Sequence, residues 1–173
     1  MFGERIVLAS SSLPRTSRPY MPDYEMMFEK SRGLLDWSWA SDRLSRAHNY
    51  WMTTARPDGR PHVMPVWGVW LDNAFYFSTG RRSRKSRNLD ANHNCVVCPE
   101  GAEEAVILEG TAQEVTQSSL LRRFAEAYKK KYDWDMEGNE GPVYAVRPRV
   151  AFGFLEKPDA VQGNPTRWSF QTK

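Results

Sequence analysis

The stretch FYFSTGRRSRKSRNL (Phe75–Leu89) decides how this chain is read. Its first part, Phe75 to Ser78, is rich in β-formers and stops at Thr79-Gly80. Its second part sets five cations, Arg81, Arg82, Arg84, Lys85 and Arg87, within seven positions. Ser83 stands at a helix N-cap position, so the pattern predicts a short helix running to Ala91. A strand ending in Thr-Gly before a helix N-terminus presents free amide N–H groups and the positive dipole end, which hold phosphate. Helical spacing puts Lys85 and Leu89 on one face and Arg84 and Asn88 on a neighbouring one. Leu89 then anchors the helix in the core while the first-turn cations meet a ligand. Arginine offers paired hydrogen bonds to phosphate, and lysine offers a compact charge. The bland alternative is a solvated basic helix face.

The 173-residue chain carries a net charge of +3, and without those five cations it would carry −2. The basicity is local, which favours a small anionic ligand over a broad nucleic-acid surface. The second lysine run, YKKKY (Tyr128–Tyr132), reads as a solvated helix face. No run approaches the length of a membrane-spanning helix. The N-terminal IVLA (Ile6–Ala9) is too short for a signal sequence. The expectation is a soluble cytoplasmic protein without membrane or nucleic-acid partners. Cys95 and Cys98 form a C-x-x-C within NCVVCPE, but the context reads as strand and the odd spacing sends the thiols to opposite faces. A redox pair would need a helix N-terminus, and a zinc site a second ligand pair.

Working outward, NYWMTTAR is a strand that stops at the PDGR turn. PHVMPVWGVWL follows as one strand, turns at Asp72-Asn73, and returns as AFYFST, so these three runs are expected as an antiparallel meander. Pro65 implies an edge position or a bulge. NCVVCP and AVILEGTAQEV are further strands. TQSSLLRRFAEAYKKKY repeats Leu120, Phe124, Tyr128 and Tyr132 every four residues, the stripe of an amphipathic helix. VYAVRPRVAFGFLE is a sixth strand, and NPTRWSF a last strand or ordered arm. A short helix within SDRLSRAH is expected to be capped by Ser41 or Asp42. Residues 1–40 read as an irregular extension, with SSSLPRTSRP a mobile tail. Within it, GLLDWSWA (Gly33–Ala40) is expected to bury its tryptophans on the main domain or a partner subunit. Residues 41–173 form one domain with a C-terminal arm. Short strands joined by hairpin turns suggest a small closed barrel with helices outside.

The ordered set NYWMTTARPDGRPHVMPVWGVW…FYFSTGRRSRKSRNL resembles the pyridoxamine 5'-phosphate oxidase-like superfamily, the flavin-binding split-barrel proteins. The features that match are a strand, a D-G-R-P hairpin, a P-V-W strand, then S-T and S-R-K-x-x-N-L. The resemblance spans about residues 41 to 155. It implies a mainly β fold with flanking helices, a six-stranded antiparallel split β-barrel, assembled as a homodimer with a cofactor at the interface. The implied phosphate holders are Thr79, Arg84 and Lys85, with Ser78, Ser83 and Asn88 beside them. The strand from His62 through Val66 and Trp67 is implied to present backbone groups to the polar edge of the ring. The C-terminal TRWSF is implied to contribute Arg167 and Trp168, and is expected near the interface. FMN is the expected cofactor, with a deazaflavin coenzyme of the F-420 type as the alternative.

The chain departs from the oxidase around VMPVWG, where paired basic residues are replaced. Haem-binding relatives need an axial ligand, and His48, His62 and His93 have no metal-ligand partner nearby in sequence. The resulting expectation is a flavin-dependent oxidoreductase acting on a small organic substrate. The alternatives are a deazaflavin-dependent reductase, a non-enzymatic flavin carrier, or a barrel that binds nucleic acid or protein. With no catalytic triad or carboxylate pair in the sequence, the cofactor would carry the redox chemistry.

Overall fold

The computed structural model describes residues 13–23, 33–138, 141–156 and 165–171. Residues 1–12 and 24–32 of the expected extension lie outside them. The elements are β1 (Arg15–Ser17), α1 (Trp37–Arg46), β2 (Tyr50–Ala55), β3 (Pro61–Val66), β4 (Val69–Leu71), β5 (Ala74–Ser78), α2 (Arg84–Ala91), β6 (Asn94–Pro99), β7 (Glu104–Glu114), α3 (Ser118–Tyr132), β8 (Val143–Leu155) and β9 (Thr166–Ser169). The described residues thus form nine strands, where six were expected as the barrel. All the pairings are antiparallel.

The sheet runs β1-β9-β8-β7-β6-β2-β3, with β5 pairing β8 and β4 pairing β5 off that path. The split lies in β8. One side of this long strand pairs with β7 along its length. The other side serves β5 through Val143–Val146 and β9 through Val150–Gly153. Nothing hydrogen-bonds β3 to β4; they are joined through Trp67-Gly68.

That break corrects the expected single strand PHVMPVWGVWL and the expected three-strand meander. A Cβ on Gly68 would collide with the Phe75 ring and come within 2.6 Å of the Tyr76 carbonyl oxygen. Only glycine lets the chain turn there. As the end of its path, β3 is an edge strand, which accommodates Pro61 and Pro65.

Period-2 alternation on β5 sends Phe75 and Phe77 into the barrel core with Tyr50, Met52, Val97 and Leu108. It sends Ala74 and Tyr76 to a second cluster under α3, with Phe124 and Tyr128. Cys95 is buried inward and Cys98 half-buried, and both thiols are free. Burial pushes their pKa values up to about 12 and about 11, so both are poor nucleophiles at neutral pH.

Two expectations about the termini change. α1 begins at Trp37, capped by Asp36 backbone rather than by Ser41 or Asp42, because Trp37, Ala40 and Leu44 form one buried stripe. SSSLPRTSRP is no mobile tail where described: Arg15–Ser17 pairs with β9. Three residues are too few to show a period, and the exposed edge of β9 supplies the partner. The tryptophan-rich segments pack into this chain's own core. Trp168 is 0% exposed, packed edge-on to Trp37 at 5.4 Å and stacked near Trp39 at 6.5 Å.

Replacing Gly68 by Ala forces backbone movement at the split, and overpacking of this kind costs about 1–3 kcal/mol. Thermal unfolding should show a drop of several degrees for Gly68→Ala. Gly80→Ala, whose added methyl meets nothing within 4 Å, should leave the transition nearly in place; equal effects would contradict the steric account.

Candidate functional site

Where β5 ends, the chain meets the N-terminus of α2. Ser83 caps that helix, accepting from the Ser86 amide at 3.2 Å. Thr79 Oγ1 and Ser83 Oγ are 3.1 Å apart, and Lys85 Nζ donates to Thr79 Oγ1 at 3.4 Å. Ser78 Oγ and the Thr79 amide both reach the Pro142 carbonyl, at 3.2 and 3.3 Å, which fixes the strand end. Burial lowers the Lys85 pKa. Of the five cations, Arg81 is paired with Glu114. Among the described residues Arg84 has no acidic partner, and its side chain is exposed.

The helix is pinned from beneath. Asn88 is fully buried and donates to Thr54 Oγ1 at 2.9 Å, tying α2 to β2. Ser86 Oγ meets the Tyr144 hydroxyl at 3.0 Å. A cleft of about 410 Å³ lies beside this helix end, lined by Asn49, Pro65, Val66, Trp67, Ser78, Lys85 and Tyr128.

His62 is close enough to feel the charges of this site. Burial, then the cations Arg56, Lys85 and Arg84, lower its pKa, so it is neutral at pH 7. Its Nδ1 and the Asn88 Oδ1 are buried without hydrogen-bond partners.

The structure therefore brings together Ser78, Thr79, Ser83, Arg84, Lys85, His62, Val66 and Trp67. Asn88 lies underneath, as the helix's anchor. Within one chain it does not bring Arg167 or Trp168 there; the resemblance also allows that segment to reach the site from a neighbouring subunit. Trp168 has no surface left for a ring, and Arg167 bonds Ser169 Oγ at 2.6 Å. The sequence reading missed Asn49 and Tyr128, which also line the cleft. Tyrosines rather than leucines on the α3 stripe were the available signal, since a phenol on an apolar stripe needs a polar outlet.

Two hydroxyls, an ammonium, a guanidinium and a helix N-terminus form a donor set suited to a clustered anion such as a phosphate. These features fit a phosphate-bearing cofactor. Among the described residues, no group of three His, Cys, Asp or Glu side chains stands together to hold a metal ion.

The architecture is that of a split β-barrel. A conserved hypothetical protein from Mycobacterium tuberculosis superposes with a TM-score of 0.63 at 19% identity, covering 70% of this chain and 85% of that one. An FAD-binding protein from Mesorhizobium loti gives 0.58 at 15% identity, with 79% and 96% covered. A protein described as an F420 reductase gives 0.53 at 20% identity, with 64% and 94% covered. No curated protein sequence matches. The family profile described as pyridoxamine 5'-phosphate oxidase matches residues 40–154, most of the chain, and the chain belongs to that family.

The lowered pKa of His62 has a direct test. A base held neutral by folding contributes stability above its ordinary value of 6.5 that is lost as pH falls below it. NMR titration of His62 should give a midpoint below 6.5, and the pair Arg84→Ala and Lys85→Ala should move it upward. A midpoint that ignores both substitutions would remove the cations from its surroundings.

Proposed function

We propose that this protein binds FMN in the cleft beside α2 and acts as a flavin-dependent oxidoreductase on a small organic molecule. The carrying observation is the Thr79–Ser83–Lys85 chain at the α2 N-terminus, with Arg84 left without an acidic partner among the described residues. In this reading Thr79, Ser83, Arg84 and Lys85 hold the cofactor phosphate, with Ser78 beside them. The edge strand β3 faces the polar rim of the ring through the backbone of His62 to Trp67, because its outer side has no strand partner among the described residues. Bound flavin or deazaflavin supplies hydride chemistry, while the protein orients it and shields it from water. Neutral His62 is able to accept or donate one hydrogen bond at that rim.

A deazaflavin coenzyme of the F-420 type presents a phosphate to the same cations. The likeness to an F420 reductase supports it as a second reading. A carrier without turnover would use the same contacts.

The proposed assembly is a homodimer. Its support is an apolar outer sheet face: register sets Trp51, Pro65 and Cys98 side by side, continuing to Ile107 and Phe152. Trp51 is 47% and Val63 52% exposed. No helix among the described residues is long and apolar enough to cross a membrane.

Mass spectrometry of the purified protein, with FMN and deazaflavin titrations, tests the cofactor. Each charge-assisted hydrogen bond contributes about 1.5–3 kcal/mol, so the double change Arg84→Ala, Lys85→Ala should weaken binding by well over about tenfold. Unchanged affinity for both cofactors would refute the phosphate assignment. For the assembly, light scattering should report a dimer that Trp51→Glu dissociates; a monomeric parent protein would refute it.

A further inference from the structure

A second hollow lies apart from the cleft beside α2 and shares no lining residue with it. Its volume of about 450 Å³ is in the range of small-ligand sites. Its floor is apolar: Leu121 and Phe124 of α3, Met136 beyond that helix, and Val143 at the start of β8. Phe124 and Val143 are buried and Leu121 and Met136 half-buried, all four belonging to the core cluster under α3. The charged side chains at its rim are Arg81, Glu114 and Arg122. Glu114 takes Arg81 through both carboxylate oxygens, at 2.7 and 2.5 Å. Arg122 is exposed and has no carboxylate partner among the described residues.

Two arginines against one glutamate leave a single positive charge at the rim, which one monovalent anion matches. Glu114 opposes anything more highly charged. The floor side chains give water no hydrogen-bonding partner, so an apolar body that displaces water from them is favoured. The Phe124 ring is already packed against Tyr128, 5.3 Å away. Leu121, Met136 and Val143 offer dispersion contacts without a flat face. That floor suits a flexible aliphatic chain better than a planar ring.

We infer that this hollow binds an aliphatic monocarboxylate, with its chain on Leu121, Met136 and Val143 and its carboxylate at Arg122. Arg81 stays with Glu114 and walls the opposite side. The inference stands apart from the cofactor reading, since none of these residues is among the proposed holders of FMN.

The probes are octanoate, acetate and 1-octanol, titrated calorimetrically into the purified protein without FMN. Octanoate should bind, and acetate, which has the charge without the chain, should give no heat of binding at the same concentration. Arg122→Gln should weaken octanoate about fivefold, the upper value for an exposed ion pair, and leave 1-octanol within about twofold. Ala125→Phe places a ring in the hollow, which Ala125 lines, and should abolish octanoate binding while circular dichroism shows the fold retained. Methyl NMR of labelled methionines, with Met136 assigned through Met136→Leu, should show its signal moving with octanoate and not with acetate. Octanoate that does not bind, that binds Ala125→Phe or Arg122→Gln as before, or that leaves the Met136 methyl unmoved overturns the inference. If Ala125→Phe does not fold, the Met136 signal and Arg122→Gln decide the matter.

Discussion

The bend at Gly68 is the constraint on which the barrel and the cleft both depend. β3 and β4 belong to different branches of the sheet, and only Trp67-Gly68 links them. The bend leaves the Gly68 amide and carbonyl without a strand partner, and buried backbone groups must be satisfied. α3 supplies the partners. Lys131 Nζ reaches the Gly68 carbonyl at 2.9 Å and the Tyr50 hydroxyl at 2.8 Å, and the Tyr132 hydroxyl reaches both Gly68 backbone groups. The cost shows in Lys131, whose pKa burial lowers to about 8. The lysines of YKKKY are therefore not all a solvated face: Lys131 turns inward and closes the barrel.

The same break creates the site. Because β3 and β4 are joined covalently rather than by a ladder, β3 ends the sheet with one side unpaired. The unpaired edge lies near the α2 N-terminus, since Asn88 ties α2 to β2, the neighbour of β3. An open backbone edge and a helix dipole thus converge on one cleft, and neither was placed by side-chain chemistry alone.

Local signals in the sequence carried well. Ser83 as cap, the Thr79-Gly80 strand end, the PDGR turn and the alternation of Cys95 and Cys98 are each decided within a few residues. What escaped needs distant partners. Gly68 in a β-rich run reads as an ordinary strand glycine until Phe75 is known to lie against it. β1 exists only because β9 leaves an edge free. Trp168 was expected at the cofactor from the family resemblance, and its burial depends on partners distant in sequence. Gly153 in β8, where a Cβ would sit 2.5 Å from its ring, makes the room for it. Tyr128 read as stripe, which it is, while its edge also lines the cleft.

The charge balance of the α2 region is the last step. Arg81 is neutralised by Glu114, and the remaining cations have no carboxylate partner among the described residues. Lys85 is half-buried, its pKa is lowered by that burial, and its acceptor there is a single hydroxyl at 3.4 Å. Holding an ammonium in such a place without a counter-charge is unfavourable to the fold. An anion at the α2 N-terminus would reverse the sign: it would favour the charged form of Lys85 and lie within the field of the helix N-terminus. The same anion would offset the cations Lys85 and Arg84 that help to lower the His62 pKa. The cations of the α2 N-terminus thus lack a counter-charge among the described residues, an arrangement suited to a compact multivalent anion.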